Sequence, residues 1–182
     1  MSSLIEKTLK SEIIYDGKVF RIIVDDVQLP DGNPAKREVA LHSGGVCVAA
    51  LDEENNLYFV RQYRYPYHEL VLELPAGKLE KGQTPLENGK RELLEETGCV
   101  GYSYISLGQL YPSPGYTSEI IHLYACRVQT QGNMQTDEDE FLEVEKIPFD
   151  KAVEMVLNNQ LPDSKTQVCI LKLKALLESG KI

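Results

Sequence analysis

Between Gly77 and Cys99 the chain reads GKLEKGQTPLENGKRELLEETGC, and this stretch constrains the fold more than any other. Thr84-Pro85-Leu86-Glu87 has the pattern of a capping box with Pro at the first helical position, and Gly98 suits the residue just past a helix C-terminus. A helix is predicted between them. Glu92, Glu95 and Glu96 fall within five residues on it. At about 100° per residue they share one face, and like charges at this spacing weaken a helix by roughly a few tenths of a kcal/mol per pair. Leu86, Leu93, Leu94 and Thr97 form the opposite stripe, which is expected to pack on a sheet while the acids face away from it. Acids held together in this way need a cation, and an oxygen-only donor set suits Mg²⁺ or Mn²⁺ better than Zn²⁺.

The remaining residues bound the problem. A net charge of −9 over 182 residues argues against nucleic acid and anionic membrane surfaces as partners. Cys47, Cys99, Cys126 and Cys169 are scattered without a C-x-x-C pair, as free thiols in a reducing compartment would be. Met1–Lys7 has no apolar run of the signal-peptide kind, and no stretch approaches a membrane span. A soluble cytoplasmic protein is expected. His42, His68 and His122 show no ligand spacing, and Gly77–Gly82 is not a P-loop.

Residues 8–41 alternate apolar and polar positions around a turn at Pro30-Asp31-Gly32-Asn33, the pattern of a small antiparallel meander. Such a unit is too small for a core of its own. We place a boundary after residue 41, with 1–41 as the meander, which must pack on the main domain or on another subunit, and 42–182 as the main domain. Strands are expected at 44–51, 57–64, 70–74, 104–111, 120–128 and 141–147, and helices at 150–158 and 164–178. This intermixing gives an α/β class with a mixed sheet between helices.

Several residues outside the acidic helix have chemistry to offer. Arg61 and Arg64 end a strand, and Arg64 is the better phosphate ligand because a guanidinium grips phosphate oxygens bidentately. In Pro75-Ala76-Gly77 the glycine lets the backbone come close enough for a carbonyl to ligate a cation. Glu73, two residues before Pro75, offers a further carboxylate. Ser113-Pro114-Gly115-Tyr116-Thr117-Ser118-Glu119 is a turn followed by an aromatic and an acid. The acids of Asp137-Glu138-Asp139-Glu140 would by themselves be a solvated loop.

The Gly77–Cys99 segment resembles the Nudix box, G-x5-E-x7-R-E-U-x-E-E-x-G-U, where U is a bulky apolar residue. Gly77, Arg91, Glu92, Leu93, Glu95, Glu96 and Gly98 fall on its fixed positions. Gln83 stands where the box has its first glutamate, and Cys99 where it has its last apolar residue. Gln83 cannot pair ionically with Arg91, which bears on loop rigidity and rate rather than on the metal site. The Ser113–Glu119 segment is similar to the S-P-G-aromatic-x-x-E segment of the ADP-ribose pyrophosphatase branch, with Pro114 sixteen residues past Gly98.

The resemblance implies an α/β/α sandwich and Mg²⁺-dependent hydrolysis of the ADP-ribose pyrophosphate to AMP and ribose 5-phosphate. It implies that Glu92, Glu95, Glu96 and the Ala76 carbonyl hold the metal, with Glu73 as an added ligand. Arg64 and Arg61 would contact substrate phosphate, and Pro114 and Glu119 would border the substrate. Glu140 or Glu138 would be the general base, with Glu95 as a further catalytic candidate. In that branch the meander often exchanges across a homodimer, which would bring Phe20 or Tyr15 onto adenine. Rival readings are another nucleoside diphosphate sugar or a dinucleoside polyphosphate as substrate, a non-catalytic ADP-ribose sensor, and an inert acidic dimerisation domain.

Overall fold

The computed structural model describes residues 4–132 and 141–180. Two compact units result, one running to Gly44 and including Tyr111–Ile120, the other made of Gly45–Leu110 and the chain from Ile121 onward.

The first unit is a three-stranded antiparallel meander of β1 (Lys7–Asp16), β2 (Phe20–Gln28) and β3 (Pro34–His42). Its second turn closes through Gly32 at φ 89° and an Asn33 amide bonded to the Asp31 carboxylate at 3.0 Å. All ten residues of β1 are exposed, and Val27 is the only core hydrophobic among the described residues of this unit. Tyr111–Ile120 joins the unit because it is strapped to β3. The Ala40 N–H donates to the Tyr116 carbonyl (2.8 Å), the Ser118 N–H to the Ala40 carbonyl (3.0 Å), and the His42 N–H to Ser118 Oγ (3.0 Å). Backbone bonds between segments 76 residues apart leave no side-chain pattern to read.

The second unit holds a mixed sheet of β4 (Gly45–Leu51), β5 (Asn56–Arg64), β6 (Glu69–Glu73), β7 (Ala76–Lys78), β8 (Cys99–Leu110), β9 (Ile121–Gln131) and β10 (Leu142–Pro148). The helices are α1 (Pro85–Thr97), α2 (Phe149–Leu157) and α3 (Ser164–Glu178). The strand order is β10-β5-β4-β9-β8, with β6 beside β5 and β7 beside β4. Among the described strands of this sheet, only β4 and β9 pair in parallel. β4 is buried along its whole length, and the two-residue alternation sorts its faces. Val46, Val48 and Ala50 pack with Leu93 of α1. Cys47, Ala49 and Leu51 pack with Val153 of α2 and Cys169 and Ile170 of α3. Helices therefore cover both faces, as an α/β/α sandwich requires.

β4 and β5 pair only at their hairpin end, Leu51 opposite Leu57. Beyond it β5 pairs with β6, placing Val60 opposite Glu73, and β4 pairs with β7, placing Cys47 opposite Ala76. Leu74 and Pro75 cross between them. The crossing is fixed at both residues, by the Leu74 N–H on Thr166 Oγ1 (2.8 Å) and the Val48 N–H on the Pro75 carbonyl (2.9 Å). A three-residue strand such as β7 is too short for alternation to reveal.

α1 has the predicted ends. Thr84 Oγ1 accepts the Glu87 N–H, the Glu87 carboxylate accepts the Thr84 N–H at 2.7 Å, and Gly98 closes the helix at φ 67°. Its faces differ from expectation. Leu94 is 39% exposed, while the buried residues are Asn88, Gly89, Glu92, Leu93, Glu96 and Thr97. Two of the acids thus lie at the edge of the packed face rather than opposite it, because the sheet meets α1 there with the polar backbone of the β6–β7 crossing. Gly89 lets the helix come close, since a Cβ there would lie 3.0 Å from Val46. Thr84→Ala removes one bond of the capping box and should cost about 1 kcal/mol. Thermal denaturation should show this as a Tm lower by about 2–4 °C.

Candidate active site

Arg91 gathers the helix acids. Its NH2 donates to Glu92 Oε1 at 2.7 Å and its NH1 to Glu95 Oε2 at 2.5 Å, so one guanidinium offsets the repulsion between two carboxylates. Glu96, 2% exposed, accepts the Ala76 N–H at 3.0 Å. Glu92 meets the next residue of the same strand: a Cβ on Gly77 would fall 2.0 Å from its carboxylate. Glu92 and Glu96 thus converge on the Ala76–Gly77 backbone, and any side chain at position 77 would displace Glu92. Gln83 donates to Glu80 Oε2 at 2.8 Å, and the other oxygen of Glu80 lies 3.6 Å from Arg91 NH2, so Gln83 meets this group through Glu80. Arg91 Nε is buried with no hydrogen-bond partner among the described residues. The loop is also tied to the helix by buried Asn88, which accepts the Glu80 N–H (3.0 Å) and donates to the Thr84 carbonyl (2.9 Å).

These donors fit a hard divalent cation. They are oxygens, two of them on buried carboxylates brought against one backbone stretch, and the cradle exists only because position 77 lacks a Cβ. Among the described residues no three Asp, Glu, His or Cys side chains stand together so as to hold a metal ion by themselves. Mg²⁺ ordinarily takes its remaining ligands from water or substrate oxygens.

A second charged cluster adjoins the first. Glu73, 1% exposed at the end of β6, accepts Arg64 Nε at 2.6 Å through Oε1, and its Oε2 accepts from Lys165 Nζ. Lys165 also donates to Asp163 Oδ1 at 2.9 Å, and Asp163 Oδ2 caps α3 by accepting the Thr166 N–H at 2.9 Å. Burial presses the Lys165 ammonium toward neutrality, but the charges of Asp163 and Glu73 outweigh it and raise its pKa. Burial likewise pushes Asp163 up, and Lys165 together with the hydrogen bonds from Thr166 more than reverses this, holding the carboxyl below its usual range. The Arg64 guanidinium also feels the charge of Glu96, so the two clusters share one field. Both oxygens of Glu73, offered by the sequence as a metal ligand, are engaged by protein cations. Lys165 and Asp163 escaped the sequence reading. The available signal was a lysine in the first turn of a helix, where the dipole disfavours a cation.

Arg61 does not join this cluster; its Nε donates to Glu145 Oε1 at 2.6 Å on β10. Phe20 is exposed in the first unit with its ring 6.1 Å from that of Tyr15. Pro114 is exposed in the strapped turn. Glu119 Oε1 approaches His42 Nδ1 at 3.5 Å, but that nitrogen already accepts the Gly44 N–H at 3.0 Å, so a neutral ring makes no hydrogen bond to Glu119. Glu138 and Glu140 lie outside the described residues. All four cysteines are free and buried, with Cys47 and Cys169 Sγ 3.9 Å apart. Among the described residues no helix is long and apolar enough to cross a membrane.

A split sheet here presents its backbone to a helix of paired acids. The NUDIX domain matches residues 41–167 and the nucleoside diphosphate sugar hydrolase N-terminal domain residues 6–40, so the chain belongs to the NUDIX family of divalent-metal-dependent pyrophosphohydrolases. It is 39% identical over 185 residues to the ADP-ribose pyrophosphatase of Bacillus subtilis, covering 100% of both chains. It is 41% identical to the methanol dehydrogenase activator of Bacillus methanolicus, covering 91% of this chain and 90% of that protein. A crystal structure of an ADP compounds hydrolase has the same fold, with a TM-score of 0.84 at 18% identity over 100% of both chains.

Proposed function

We propose that the protein hydrolyses the pyrophosphate of ADP-ribose, giving AMP and ribose 5-phosphate. The observation that carries this reading is the convergence of Glu92 and Glu96 on Ala76–Gly77 inside a Nudix box, beside Arg64. The choice of substrate is supported by the full-length likeness to a protein named for that activity and by the match to the N-terminal domain of nucleoside diphosphate sugar hydrolases. Glu92, Glu95, Glu96 and the Ala76 carbonyl would hold Mg²⁺, or Mn²⁺ in its place. A bound divalent ion supplies charge neutralisation at the diphosphate and lowers the pKa of a water.

Arg64 grips a phosphate through its terminal nitrogens, which have no hydrogen-bond partner among the described residues. Arg91 holds Glu92 and Glu95 side by side against their repulsion. Water adds to one phosphorus, the bond from that phosphorus to the bridging oxygen breaks, and the water proton passes to Glu140 or Glu138. Phe20 with Tyr15 stacks on the base, Pro114 and Glu119 border the substrate, and a homodimer forms through the meander in the cytoplasm.

A substrate panel tests the reading. ADP-ribose, GDP-mannose and a diadenosine polyphosphate are incubated with protein and Mg²⁺, and nucleotide products are separated. ADP-ribose should have the highest kcat/KM, and its standing among the poorest would overturn the assignment. One relative is named as a dehydrogenase activator, which favours a second reading, service to a partner dehydrogenase. Stimulation of a methanol dehydrogenase without ADP-ribose turnover would select it.

A further inference from the structure

We infer that Lys165, outside the Nudix box, is a positioning residue for Arg64: by occupying one oxygen of Glu73, it keeps the terminal nitrogens of the Arg64 guanidinium available to a substrate phosphate. This role rests on Arg64 being the phosphate ligand, as proposed above. A guanidinium and a carboxylate left to themselves pair side-on, with two parallel N–H···O bonds. Glu73 and Arg64 do not. Glu73 Oε1 takes only Arg64 Nε, at 2.6 Å, because Oε2 is held by Lys165 Nζ.

Lys165 is fixed in turn. Its side chain is 12% exposed, it donates to Asp163 at 2.9 Å, and Asp163 is the cap of α3. The next residue, Thr166, receives the Leu74 N–H, so the same helical turn that supplies the ammonium also holds the residue after Glu73. With Lys165 removed, both Glu73 oxygens are open to Arg64, and the side-on pair that forms through Nε and one terminal nitrogen competes with substrate for that nitrogen.

The test compares Lys165→Met, Lys165→Arg, Arg64→Ala and the Lys165→Met/Arg64→Ala double variant. Each is checked by thermal denaturation and assayed well below its own Tm. ADP-ribose turnover with Mg²⁺ gives kcat and KM, and calorimetric titration of ADP-ribose in EDTA gives Kd without turnover. Lys165→Met should raise KM and Kd by about tenfold or more, the scale of a charged hydrogen bond, with a smaller change in kcat. Lys165→Arg should recover most of the loss, and Lys165→Met should add little to Arg64→Ala.

Unchanged KM and Kd in Lys165→Met overturn the inference, as do losses that multiply in the double variant, which a merely structural role predicts. If Lys165→Met does not fold, Asp163→Asn loosens Lys165 while leaving Glu73 and Arg64 in place. A smaller rise in KM is then expected, and no change overturns the role. A wild-type protein that neither binds nor cleaves ADP-ribose removes the functional reading and this role with it. A wild type that binds, matched by Lys165→Met, removes this role alone.

Discussion

Glu96→Gln should lower kcat for ADP-ribose by about a thousandfold or more, the rate equivalent of the several kcal/mol a catalytic divalent ion supplies. The amide keeps the shape of the side chain and can still accept the Ala76 N–H, which Glu96 accepts at 3.0 Å. What it loses is the negative charge, in a position 2% exposed where solvent contributes little screening. Substrate affinity in EDTA should change little, since the substrate's own charge is held by arginine. EDTA should bring the wild-type rate down to the floor set by the variant and leave the variant itself unmoved. Full Mg²⁺-dependent turnover by Glu96→Gln would remove the helix acids from the metal site.

The second large effect concerns stability. Glu73→Ala should destabilise the fold by about 3 kcal/mol, the low end for breaking a buried ion pair. Lys165 keeps Asp163 as a partner and Arg64 is 38% exposed, so solvent and a remaining carboxylate limit the loss. Two cations then face each other across the vacated position. Calorimetry should show Tm lower by about 6–12 °C for a chain of this length. Glu73→Gln, which still offers an acceptor, should lose less. A Tm unchanged in Glu73→Ala would mean that neither cation depends on Glu73.

The parts legible in the sequence are those whose signals are local. The capping box, Pro85 and Gly98 mark α1 to the residue because each acts within a few positions of itself. β4 reads as a buried strand because it is apolar on both faces. A helical wheel, by contrast, knows angles but not what the helix meets. Leu94 and Glu96 trade places relative to expectation because the sheet offers α1 an opening lined by backbone, and that opening depends on a two-residue crossing and a three-residue strand. Glu73 reads as a spare carboxylate until α3 is in place. The strap from Tyr116 and Ser118 to β3 is carried largely by backbone groups, which every residue has. Arg61 and Arg64 look equivalent three residues apart, and only their partners, Glu145 and Glu73, tell them apart.

Lys165 follows Glu73 by 92 residues. At roughly 5–20 residues per second, the end of β6 is synthesised several seconds before the first turn of α3. Through that interval the nascent chain carries an acid destined for burial with only Arg64 beside it, and the Leu74 amide has no Thr166 to bond. The half-made sheet is therefore exposed to proteases and chaperones until the first turn of α3 has been made, and a chain that stopped short of Ser164 would stay in that vulnerable condition.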